Sequence, residues 1–203
     1  MGETGKLANK NNGEGVMKVE VLKNEEKRMN LVMFGIWGFL IPIAAFLFVV
    51  LFLGGTIRDA SVLLMIVFSG LIKLFEKPLG SKAKYLYSCM IPLAGAITIV
   101  VGNDGRFGAI TQAYFLATVM TIAYYDATVI RANAIATVMM NVVAMIIFPA
   151  AYLKLHSLVV WIFILIVYLM EAFAAYVIAS RTCSLLMKVQ KDEEQVRYLL
   201  QNV

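Results

Sequence analysis

Glu171 stands in the middle of a long apolar run, one helical turn beyond Tyr168. A carboxylate at that depth in a bilayer costs at least ~2–3 kcal/mol, so the residue is expected to face inward, to be paired, or to be protonated. Two polar stripes accompany it. Thr111, Tyr114, Thr118, Thr121 and Tyr125 recur at i, i+3, i+7, i+10 and i+14, and Asn133, Thr137 and Asn141 at i, i+4 and i+8. Each spacing gathers its residues on one helical face. The pattern therefore predicts a polar pocket or sensing site built from Glu171, Tyr168, Asn141, Thr137, Asn133, Thr118 and Thr121. The plainer reading of the Thr and Asn stripes is interhelical hydrogen bonding, which holds membrane bundles together at about 1–2 kcal/mol per bond.

Reactive chemistry has little to work with. The only histidine is His156, and the two cysteines, Cys89 and Cys183, are far apart in sequence, so no metal-ligand cluster or disulfide is expected. There is no nucleophile with a base at workable spacing, no paired carboxylates and no H-E-x-x-H. Gly102, Gly105 and Gly108 punctuate a turn and do not have the spacing of a dinucleotide site. The expectation is a non-enzymatic protein without cofactor or metal.

The elements that must position these residues are six apolar stretches: Leu31–Leu53, Thr56–Phe75, Tyr85–Gly102, Phe107–Tyr125, Ala132–Leu153 and Leu158–Ser180. About 20 apolar residues at 1.5 Å each cross the hydrocarbon core, so each reads as a transmembrane helix. Lys73, in the last turn of the second, is expected to snorkel toward the headgroups. Hydrophobic residues make up 61% of the chain and charged residues 15%, outside the range of soluble domains. Pro42 and Pro92 fall inside the first and third stretches, where each removes a backbone hydrogen bond.

Charge placement sets orientation. Of 18 Lys and Arg, fifteen flank one side: six before the first stretch, four from Lys73 to Lys84, Arg131, and four after Ser180. Arg58, Arg106 and Lys154 are left for the other side. The positive-inside rule then puts both termini in the cytoplasm. The basic excess reflects topology and contact with anionic lipid, and nucleic-acid binding is not expected. Residues 1–29 lack an apolar signal-peptide core, so the first stretch serves as an uncleaved targeting signal. The outside loops, near Gly54-Gly55, Gly102–Gly105 and Lys154–His156, are too short to form a domain. The expected fold is all-α: a polytopic membrane protein with a cytoplasmic segment 1–29 whose first half is disordered, a six-helix bundle over 30–180, and a cytoplasmic helical stalk over 181–203.

The stalk carries Leu185, Val189, Val196, Leu199 and Val203 at coiled-coil steps, with Asp192 where an apolar residue is due. It is expected to pair with a second copy, ending mid-pattern as the start of something longer. A helix lying on the membrane is the competing reading.

The stretch Ala113-Tyr114-Phe115-Leu116 through Ile122-Ala123-Tyr124-Tyr125-Asp126, with Val129-Ile130, Asn133, Asn141 and Val142-Val143 after it, resembles the N-terminal membrane module of clostridial-type methyl-accepting chemotaxis proteins. Related modules head some diguanylate cyclases and histidine kinases. The resemblance covers roughly residues 107–203 and the basic lead-in. It implies a sensory bundle in the bacterial plasma membrane feeding a cytoplasmic coiled coil and a signalling domain or signalling proteins, and a receptor piece that cannot signal alone. The family's signalling tip and methylation sites lie outside these residues. A small transport subunit, similar to the S-components of energy-coupling-factor transporters, is the alternative. The first stretch has Gly35, Gly38, Ala44 and Ala45 without the Ala-x-x-x-Ala pattern of such subunits, and a charged stalk has no role in one. A membrane scaffold is the third reading.

Overall fold

The computed structural model describes residues 24–52, 57–102 and 107–201, and among these every regular element is helical. Residues 1–23, which hold the segment expected to be disordered, lie outside the described residues, as do 53–56, 103–106 and the terminal Asn202-Val203. Six principal helices are present: α1 (Asn24–Phe52), α2 (Leu64–Leu74), α3 (Ala83–Gly102), α4 (Phe107–Thr121), α5 (Ala127–Ile147) and α6 (Leu158–Gln201). A 3₁₀ segment, Ile57–Leu63, leads into α2, and a one-turn helix, Glu76–Leu79, joins α2 to α3. Among the described residues four segments are long and apolar enough to cross a membrane: Asn24–Phe52, Glu76–Gly102, Ala127–Ile147 and Leu158–Leu200. Ile110–Tyr124 is apolar but shorter.

The helices alternate in direction. Asn30 at the start of α1 bonds Glu76 just after α2 and Tyr124 just after α4, while Lys84 at the start of α3 reaches Asp126 at the start of α5. At the opposite end, Ile99 of α3 clusters with Tyr152 and with Trp161 near the start of α6. The central packing is α3 against α5, with α4 and α6 closing one side and α1 and α2 the other. The main core runs from Met33 and Trp37 through Tyr87 and Met90 to Tyr114 and Tyr168.

Local chemistry explains the boundaries. Asp126 is the N-cap of α5, its side chain accepting the Thr128 N–H. The fifth apolar stretch does not run through to Leu153 as one helix. Phe148 leaves the helix at φ −126° and ψ 59°, because the residue before Pro149 is pushed out of the helical region, and a short helix, Pro149–Leu153, follows with proline in its first turn. In α1, Met33–Leu40 is π-helical, with the Ile41 N–H donating to the Ile36 carbonyl. The polar stripe of α4 also ends earlier than its spacing implies. A 3₁₀ turn at Ile122–Tyr124 rotates the chain so that Tyr124 is buried, and Tyr125 takes a left-handed conformation in the turn, half-buried.

α6 is unbroken for 44 residues, about 66 Å at 1.5 Å per residue. Trp161, Leu165, Tyr168, Ala172, Ala175 and Ala179 form its buried stripe. Its described side chains from Ser184 to Leu200 are exposed, Leu185, Val189, Asp192, Val196 and Leu199 among them.

Candidate functional site

Two features of α3 create the demand that the polar stripes satisfy. Pro92 has no N–H, so the Ser88 carbonyl four residues earlier loses its helical donor. Asn133 of α5 supplies the replacement: its Nδ2 donates to the Ser88 carbonyl at 2.7 Å. Gly95, a turn further on, leaves room for the Tyr114 ring, into which any added Cβ would collide.

From Asn133 the bonds spread to α4 and α6. Its Oδ1 accepts from Thr118 Oγ1 at 2.8 Å and lies 3.1 Å from the Tyr168 hydroxyl. Tyr168 also lies 3.0 Å from both Thr118 Oγ1 and Thr137 Oγ1. One phenol carries one proton, so these distances describe alternative circuits among the same atoms. Thr137 donates to the Asn133 carbonyl at 2.9 Å, and Thr121 to the Thr118 carbonyl at 2.6 Å. Toward the opposite end, Asn141 Oδ1 accepts from Tyr152 at 3.1 Å and from Tyr114 at 3.4 Å, while its Nδ2 donates to the Thr137 carbonyl at 2.7 Å. Tyr114 and Tyr168 meet edge to face with centroids 6.4 Å apart.

Six of the seven sequence-predicted residues thus meet in one place, and all six are buried: Tyr168, Asn141, Thr137, Asn133, Thr118 and Thr121. Glu171 is not part of the network. It is half-buried at the edge of the α6 stripe, and among the described residues no hydrogen bond or ion pair reaches it. Tyr152 joins the site from the short helix after the Phe148 break. Sequence reasoning missed it because it placed that residue at the end of a continuous fifth helix. The Ser88 carbonyl could have been found by counting four residues back from Pro92.

A second polar cluster lies at the end where α1, α3 and α5 begin. Lys84 Nζ is 3.0 Å from Glu26 Oε2 and 2.9 Å from Asp126 Oδ2. Asn30 donates to Glu76 at 3.1 Å and accepts from the Tyr124 hydroxyl at 2.9 Å, and Lys73 pairs with Glu76 at 2.6 Å. Burial opposes the charge on Asp126, but hydrogen bonds from Thr128 and Lys84 outweigh it and hold the carboxyl below the usual carboxylate range. Asp126, the N-cap of α5, and Arg131, five residues further along in that helix, do not serve each other. Asp126 turns to Lys84, and Arg131 lies over the Tyr176 ring at 5.8 Å.

Among the described residues no group of His, Cys, Asp and Glu is arranged to hold a metal. The central groups are hydroxyls, amides and phenols, which can exchange hydrogen bonds and fix helix positions but offer no activated nucleophile. No protein-family model, curated protein or solved structure matches the chain.

Proposed function

We propose that the protein is the membrane-embedded input module of a bacterial signal-transduction receptor of the chemotaxis type. In this reading all six helices cross the plasma membrane, both ends face the cytoplasm, and the protein performs no catalysis. A stimulus reaching the central network shifts α6, and the part of α6 beyond Ser180 relays that shift, paired with a second copy, to a cytoplasmic signalling domain or protein.

The observation that carries this reading is the continuity of α6. Tyr168 sits among the network bonds, and the same unbroken helix reaches Gln201. Residues 158–201 contain no Gly or Pro, so no hinge interrupts the helix between network and extension. The alternating directions of the six helices support six passes, and the clustering of Glu26, Lys84 and Asp126 at one end agrees with the basic side of the chain facing the cytoplasm. Exposed side chains such as Leu51, Phe52, Val159, Phe163 and Phe173 would be costly in water and suit lipid.

Single cysteines placed at Leu185, Val189, Asp192, Val196 and Leu199, in a background with Cys89 and Cys183 changed to Ser, test the relay in native membranes. Crosslinking between copies should peak at Leu185, Val189, Val196 and Leu199, and Tyr168→Phe should alter its efficiency. Equal reactivity around the helix would overturn the paired stalk and favour a transport or scaffold role.

A further inference from the structure

Pro42 interrupts α1 as Pro92 interrupts α3, and α1 meets the missing N–H in a different way. Four residues back from Pro42 is Gly38, the carbonyl that loses its donor in an α-helix. Five residues back is Trp37, the carbonyl that loses its donor in a π-helix. The Met33–Leu40 segment is π-helical, and its last bond runs from the Ile41 N–H to the Ile36 carbonyl. The π run stops where Pro42 would have to donate next. The hydrogen-bond register of this one turn therefore decides which carbonyl the proline leaves without a backbone donor.

Ser69 of α2 stands beside one of the two. It is fully buried, and its Oγ lies 3.4 Å from the Gly38 carbonyl and 3.0 Å from the carbonyl of Ile66 in its own helix. A single hydroxyl proton serves one of these acceptors at a time. Gly38 permits the approach, since a Cβ there would collide with the Ser69 side chain. In the π register Ser69 is free to donate to Ile66. In the α register the same proton meets the carbonyl that Pro42 has orphaned.

The two halves of α1 are held very differently. In the first, Asn30 bonds Glu76 and Tyr124, and Met33 and Trp37 are in the main core. In Ile41–Phe52 the one buried residue is Pro42, and this half packs chiefly on the 3₁₀ segment Ile57–Leu63. A change of register must therefore be taken up by the second half.

We propose that α1 is a two-setting helix in which Met33–Leu40 passes between π and α registers. The Ser69 hydroxyl turns from Ile66 to Gly38 as it does so, and Ile41–Phe52 moves as a lever. π-turns inside α-helices recur at functional sites, and a bistable element of this kind is what a switch requires. The device lies outside the central network and the α6 relay, and it stands whichever functional reading of the bundle holds.

The test uses the full chain with Cys89 and Cys183 changed to Ser, one chain per lipid nanodisc. Nitroxide labels at Leu51 on the lever and Ile135 on α5, both exposed, report their separation by pulsed electron paramagnetic resonance. Wild type should show two distance populations. Ser69→Ala removes the donor that the α register needs and should deplete one population several-fold. Pro42→Ala gives the Gly38 carbonyl its own N–H and should deplete the other, with Ser69→Ala adding nothing in that background. Two opposite shifts separate a switch from simple damage to packing. If Pro42→Ala does not fold, loss of one of the two wild-type populations in Ser69→Ala supports the switch. Distances in Ser69→Ala identical to wild type, or both variants shifting the same way, would overturn it.

Discussion

At the centre of the bundle, Asn133 joins α5 to α3, α4 and α6 without any charged group, whereas at the charged end Lys84 joins α1, α3 and α5 through two carboxylates. The groups differ most in access to water. Asn133, Thr118 and Tyr168 are at most 1% exposed, while the side chains of Lys84, Glu26 and Asp126 are 14%, 17% and 28% exposed. Deep burial makes a charge expensive and a satisfied amide tolerable, so neutral hydrogen bonds hold the interior. Partial solvation lowers the cost of the ion pairs at the end, and it also lowers what they contribute. The centre should therefore be the stiff part of the molecule, indifferent to salt and pH. The end should be the part that solution conditions can loosen.

The largest expected effect comes from Asn133→Leu. It removes the donor to the Ser88 carbonyl and an acceptor shared by Thr118 and Tyr168, orphaning several buried groups at about 1–3 kcal/mol each. A loss of roughly 3 kcal/mol or more in unfolding free energy is expected in mixed micelles. Pro92→Ala should recover part of that loss in the double variant, because it restores a backbone N–H for the Ser88 carbonyl. A double-mutant cycle without coupling would break the link between proline and asparagine. Gly95→Ala should come next, at about 1–3 kcal/mol, since its Cβ must displace the Tyr114 ring. A gentler loss is expected when Tyr114→Leu accompanies it.

The difference between the two regions also explains what could be read from the chain. Stripes at helical spacing were legible because each lies on a single helix, so Thr118, Asn133, Thr137 and Asn141 could be grouped before any packing was known. Four of the helices were legible from their apolar length, whereas the stretch expected as one helix over Thr56–Phe75 is a 3₁₀ segment, Ile57–Leu63, followed by the 11-residue α2. Glu171 was drawn into the group by its charge at mid-span and its place one turn beyond Tyr168. The buried stripe of α6 alternates three- and four-residue steps, Leu165 to Tyr168 to Ala172, so a second successive three-residue step from Tyr168 carries Glu171 to the rim, and only the packing of α6 fixes whether position 171 or 172 faces inward. Lys84, Glu26, Asn30 and Glu76 come from three places in the sequence, and no apolar or polar stripe runs through them. Read one at a time they are topology signals and solvated charges. Tyr124 and Tyr125 show the same limit at one turn. Helical spacing selects Tyr125, and the 3₁₀ segment that buries Tyr124 instead has no signature in the stripe.

At the charged end, Lys84→Met should cost less than either central change, about 1–2 kcal/mol, by leaving Glu26 and Asp126 without their cation in a partly solvated site. Raising the salt concentration should narrow the gap between wild type and variant. The same salt series should leave the Asn133→Leu gap unchanged, and a parallel response of the two would erase the contrast between centre and end.

Asp126→Asn should have the smallest effect and isolates charge most cleanly. Asparagine caps a helix about as well as aspartate, so the hydrogen bond from the Thr128 N–H to the cap is kept and only the attraction to Lys84 is lost. At neutral pH the expected difference is under about 1 kcal/mol, because the pair is partly exposed and Lys84 keeps Glu26 as a second partner. The folded carboxyl is held below its ordinary value of 3.8. Its contribution is therefore fully present above 3.8 and is lost as the pH falls through the lower folded value. Thermal unfolding of wild type and Asp126→Asn, followed from neutral pH to well below 3.8, should show two curves that converge only in the acid limb. Other carboxylates titrate in the same range but do so in both proteins, so they cancel in the difference. Curves that stay parallel at all pH values would mean that Asp126 acts at this end as a cap alone, and that Lys84 draws its pairing from Glu26.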